Sequence, residues 1–155
     1  MMLVECLSTL VRSWIVQYFV REPKNIKTGV MSHMVACIVN SAFSCEVFIK
    51  SLLVHHGKTV EEIHGHELYK LWAKYKELDI EGASNVEQTV KNVFNSKNDN
   101  KFDECLKNIS DAFFKWRYIY EKHGATIHIQ FLRIFREELR TFVVKNFITK
   151  LGVSI

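Results

Sequence analysis

The chain has 155 residues, of which 48% are hydrophobic and 25% charged. These proportions fit one folded domain with a sizeable core and exclude a disordered chain. One proline and six glycines are too few for the turns of an all-β or βαβ fold, so the composition points to helices. A net charge of +4 and a pI near 8.9 tolerate a polyanion without announcing one, and read most simply as ordinary surface charge.

Four cysteines, Cys6, Cys37, Cys45 and Cys105, lie far apart with no Cys-x-x-Cys pair. At least three fall on apolar helical faces, so free buried thiols and a cytoplasmic location are expected. The N-terminus is apolar but lacks a basic n-region and is interrupted by Glu5 and Arg12, which is unlike a signal peptide. The longest stretch without Asp, Glu, Lys or Arg, Thr28 to Cys45, carries Ser32, His33, Asn40, Ser41 and Ser44. A lipid-facing helix would avoid these, so a soluble chain with no membrane partner is expected.

In chain order, Leu3, Leu7, Leu10, Trp14 and Tyr18 predict a first helix over about Leu3 to Val20, stopped by Pro23. Residues 24–28 form a polar connector. A second helix starts near Thr28 or Ser32, both good N-caps, and ends at His55-His56-Gly57, where glycine supplies a left-handed stop. Val35, Ile38, Ala42, Cys45, Ile49 and Leu52 run along it at steps of three and four, an unbroken core stripe. After a loop over 57–65, a third helix carries Leu68, Leu71, Trp72, Tyr75 and Leu78. Asp79 to Ala83 breaks it, and Ser84-Asn85-Val86-Glu87 has the form of a capping box for a short fourth helix with Val86, Val90, Val93 and Phe94.

The polar run from Asn95 to Lys101 is expected to be an exposed loop. A fifth helix places Phe102, Cys105, Ile109, Ala112, Trp116 and Ile119 on one seam and closes at Gly124. The last, about Ile127 to Thr149, buries Phe131, Ile134, Phe135, Leu139, Phe142 and Val143. The expected fold class is all-α, a single domain over residues 1–155 built as an up-and-down bundle of five to six helices.

Three segments carry a resemblance. Ala42-Phe43-Ser44-Cys45-Glu46-Val47-Phe48-Ile49-Lys50-Ser51-Leu52-Leu53 is followed by Gly65-His66-Glu67-Leu68-Tyr69-Lys70-Leu71, and much later by Ala112-Phe113-Phe114-Lys115-Trp116-Arg117-Tyr118-Ile119-Tyr120-Glu121. In order and spacing this resembles the HEPN domain (higher eukaryotes and prokaryotes nucleotide-binding) over roughly residues 30–145. The resemblance implies a short helical bundle, often dimeric, associated with RNA or nucleotides. Many members are metal-independent ribonucleases of toxin–antitoxin or phage-defence systems. Others are non-catalytic modules that bind a partner such as a nucleotidyltransferase. No cofactor is implied.

The nuclease branch uses an Arg-x(4–6)-His motif, and Arg117 and His123 stand at that spacing. Cleavage of RNA by its own 2′-hydroxyl needs a proton-transfer group near neutral pH, which histidine supplies, and a cation for the phosphate, which a guanidinium supplies. On one continuous helix, residues six apart point about 120° away from each other. Arg117 and His123 would therefore meet through a dimer mate or an unwound last turn. The other reading makes Arg117 a structural arginine and His123 a C-cap residue.

Glu46 and Arg117 both lie beside their core seams, so a buried Glu46–Arg117 pair is expected, either as glue or as the floor of a polar pocket. Lys50, one turn from Glu46, and His66 could line that pocket, and Tyr118 and Tyr120 could stack bases there or fill the core. His55, His56, His64 and His66 have no metal-ligand spacing, and no metal is expected. Arg133, Arg136 and Arg140 form a basic stripe that Glu137 and Glu138 dilute, and it reads as a solvated face with intrahelical pairs.

Overall fold

The computed structural model describes residues 26–94, 100–110, 112–117 and 127–150. The chain divides into two compact units, Met1–Met34 and Val35–Ile155. Of the first unit only the stretch from Ile26 is described, as the opening turns of a helix, and the expected helix over residues 3–20 lies outside the described residues. The second unit is an all-α helical bundle, with no strand among its described residues.

The described helices are α1 (Ile26–His55), α2 (Leu68–Leu78), α3 (Ile80–Val93), α4 (Asn100–Ser110), α5 (Ala112–Arg117) and α6 (Ile129–Lys150). Neighbouring pairs are α3 with α6, α2 with both α3 and α4, and α4 with both α5 and α6. Helix α1 is already helical at Ile26, ahead of its candidate caps. From Val35 onwards every residue of its apolar stripe is buried: Val35, Ile38, Ala42, Cys45, Ile49 and Leu52, with Leu53 beside them. By length and composition the stretch His33–His55 is long and apolar enough to cross a membrane. Here its apolar stripe is core.

An aromatic stack fills the centre. Trp72 meets Phe135 edge-on with ring centroids 5.4 Å apart, and Phe102 meets Phe131 in the same way at 5.4 Å. Phe131 and Phe135 lie nearly parallel at 5.8 Å. Edge-to-face and offset pairs suit the ring quadrupoles and add to the gain from leaving water. Leu106, Leu132 and Ile63 also join the core, and none of them stood on an expected seam.

Cys37 is exposed on the flank of α1 beside the Val35–Ile38 stripe, and Cys45 and Cys105 are buried. Three expectations are corrected. Leu78 and Val93, the last residues of α2 and α3, lie past the packed turns and are exposed. The break expected over Asp79 to Ala83 shrinks to one residue. Asp79 ends α2 and caps α3, its carboxylate accepting from the Gly82 N–H at 2.8 Å. The Ser84–Glu87 capping box is therefore not used. Glu87 is buried in mid-helix, where it accepts from the Trp72 indole N–H at 3.1 Å and from Lys76 Nζ at 2.8 Å.

Candidate functional site

Helix α1 ends where Gly57 adopts a left-handed φ of 83°. The following loop is tied to itself, Lys58 Nζ donating to Glu62 at 2.8 Å and the Thr59 N–H donating to the same carboxylate at 2.9 Å. Ile63 anchors it to the core. A second left-handed glycine, Gly65 at φ 98°, turns the chain so that His66 faces α1. The first turn of α2 then gets its cap from another helix. Buried Ser110 of α4 accepts the Tyr69 N–H at 3.0 Å, which fixes the end of the His66 loop.

At this point three residues singled out in the sequence come together. Glu46 is 3% exposed. Lys50 Nζ donates to its Oε1 at 2.8 Å, and His66 Nδ1 lies 2.9 Å from Oε1 and 3.1 Å from Oε2. A carboxylate can only accept, so Nδ1 carries the proton and a neutral His66 ring has its lone pair on Nε2. A buried carboxylate is costly unless its lone pairs are met, and two cationic or polarised donors meet them.

Beside this cluster His66 stacks on Phe113 of α5, with centroids 5.8 Å apart and 24° between planes. Phe113 in turn meets Phe43 of α1 at 5.5 Å and 31°. Neither phenylalanine was singled out as a site residue. The signal was available: both lie off the apolar seams of their helices yet inside the segments that carry the resemblance. Arg117 is the last described residue of α5. Its side chain, His123, Tyr118 and Tyr120 lie outside the described part of the structure, and so do the expected Glu46–Arg117 pair and any Arg117–His123 cleft.

The remaining polar groups are framework. Tyr75 Oη donates to Asp79 Oδ2 at 2.8 Å, and His56 Nε2 lies 3.7 Å from the same oxygen. Burial works to raise the Asp79 carboxyl, but the Gly82 N–H, the Tyr75 hydroxyl and the His56 charge outweigh it and hold the group below its usual value. Burial and the Asp79 carboxylate together push the Tyr75 phenol up. His56 and His66 thus turn to different carboxylates. Among the described residues no group of three or more His, Cys, Asp or Glu side chains is set to hold a metal. On α6, Arg136 and Arg140 both pair with Glu137, and Arg136 also donates to Ser41 of α1 at 2.9 Å. The basic stripe is therefore largely spent on intrahelical pairs and on packing.

Compared with protein-family models, with curated proteins and with solved structures, the chain has no match.

Proposed function

We propose that this protein is a HEPN-like helical module that acts on RNA without a metal, as a dimer in the cytoplasm. The observation that supports this reading best is the convergence of Glu46, Lys50 and His66 on one buried carboxylate. It brings the first two segments of the resemblance into contact, and the ring of Phe113 adds the third. In this reading Arg117 holds the scissile phosphate and His123 moves the proton of the 2′-hydroxyl, while the Glu46 cluster supports the bound strand. The purified chain, incubated with labelled single-stranded RNA and EDTA, is expected to cleave it, and Arg117→Ala and His123→Ala to abolish cleavage. No cleavage, or cleavage unchanged in both variants, refutes the enzymatic reading.

One observation favours a second reading. The Glu46 carboxylate is engaged by both Lys50 and His66, as befits structural glue. A non-catalytic module that binds a nucleotidyltransferase-like protein, or its own copy, would carry the same cluster. Stable co-purification with such a partner in the absence of any RNA cleavage is its signature.

A further inference from the structure

Phe43, Phe113 and His66 form a row of rings contributed by α1, α5 and the loop before α2, with successive centroids 5.5 and 5.8 Å apart and planes 31° and 24° from parallel. The two outer rings are wet. Phe43 is 47% exposed, and the His66 side chain is 46% exposed. An apolar ring gains by leaving water, so a phenylalanine half in solvent beside two other rings is a surface that gains by being covered.

The row is held in place as well as exposed. Glu46, buried beneath it, takes Nδ1 of His66 and fixes the plane of that ring. At its flank stands Lys50, whose ammonium has three protons, one of them on Glu46 at 2.8 Å. His66 stacks on Phe113 while Phe43 is tilted against it, and a row of exposed rings with a cation alongside is what an unpaired nucleotide asks for. Every base presents a π face, and its phosphate lies next to it. In a duplex both base faces are already stacked and closed to such a platform.

From this geometry we infer that Phe43, Phe113 and His66 are a stacking platform for an unpaired nucleobase, with Lys50 taking the adjoining phosphate. The inference rests on the RNA reading above and narrows it to single-stranded RNA. A docked protein segment would use the same apolar area, but it has no need of a cation beside a stacked pair of rings.

Fluorescence anisotropy on the full chain tests it, with EDTA present. The probes are a short labelled RNA strand 2′-O-methylated throughout, so that it cannot be cleaved, the duplex with its complement, and the same strand carrying abasic sites. Wild type binds the intact strand more tightly than either of the others. Phe43→Ala weakens binding of the intact strand by roughly 5- to 150-fold, the range set by loss of one base–aromatic stack, and Phe43→Trp keeps it. Val47→Ala, which trims exposed apolar area one turn away, stays within about two-fold of wild type. Far-UV circular dichroism checks that each variant is folded.

If the intact strand binds but Phe43→Ala behaves like Val47→Ala, or the abasic strand binds as well as the intact one, the platform is wrong and the RNA reading stands. Binding to no RNA at all overturns both. Loss of a protein partner on Phe43→Ala with RNA affinity intact assigns the rings to a protein interface and overturns the inference.

Discussion

Replacing Gly82 by alanine normally helps a helix, by about 0.5–1 kcal/mol. In this protein the sign reverses. A Cβ at Gly82 would run into the Asp79 carboxylate, lying 2.8 Å from its Cγ and 2.7 Å from Tyr75 Oη. Both groups are committed: Asp79 accepts from the Gly82 N–H and from the Tyr75 hydroxyl, each at 2.8 Å. Moving the carboxylate aside breaks the N-cap, at about 1 kcal/mol. It also strands the phenol of a fully buried tyrosine, at about another 1 kcal/mol.

Set against the propensity gain, the net is a loss of roughly 1–1.5 kcal/mol, or about 3–5 °C in melting temperature for a chain of this size. Thermal unfolding followed by circular dichroism reads it. In an Asp79→Ala, Tyr75→Phe background the obstruction is gone, and Gly82→Ala is expected to raise the melting temperature. A rise in the otherwise wild-type chain would refute the account of this junction.

Three further outcomes are expected. Asp79 and Glu137 are held below their ordinary values, in each case against burial. Gly82, Tyr75 and His56 do this for Asp79, and Arg136 and Arg140 for Glu137. A depressed carboxyl contributes stability above its unfolded pKa and loses it as pH falls through the folded one. The urea midpoint should therefore drop from about pH 4 downwards, and drop less in Asp79→Ala; equal acid sensitivity in the two proteins would contradict this. Glu87→Leu leaves the Trp72 indole N–H buried without its acceptor and should cost about 1–3 kcal/mol in chemical denaturation, whereas Glu87→Gln, which still offers an acceptor, should cost much less. Cys37 should react with a thiol reagent in the native protein while Cys45 and Cys105, their thiols pushed up by burial, react only on unfolding. Mass mapping that finds native labelling at Cys45 would count against the core assignment of α1.

The seams were legible in the sequence because steps of three and four need no knowledge of a partner. The stripe from Val35 to Leu52, the Leu68–Tyr75 face of α2 and Phe131, Phe135 and Leu139 of α6 are all buried. What failed was whatever depends on a second element. Ser84-x-x-Glu87 has the letters of a capping box, yet the acid is claimed by Trp72 and Lys76 of α2, and the cap falls to Asp79. No local pattern reports that competition. In the candidate site, Glu46, Lys50 and His66 could be grouped from the order of the three segments. Which partner satisfies Glu46 could not, because the loop that delivers His66 is aimed by a left-handed glycine and a serine from α4. Phe43 and Phe113 stand off the seams and inside the segments of the resemblance, but a single sequence gives no measure of how wet each ring is.

The junction at Asp79 has a mechanical consequence. A connection of one residue, with its own N–H bonded to the Tyr75 carbonyl and its carboxylate bonded forward to Gly82, has no slack. Any tilt of α2 is passed directly to α3, and through it to α6, against which α3 lies. An extra residue inserted after Asp79 would rotate α3 by about 100° and turn Val86 and Val90 away from the core. The loop over 56–67 has the opposite character: an inserted residue there can be taken up before Ile63 without shifting either helix. The chain thus tolerates lengthening on one side of α2 and forbids it on the other.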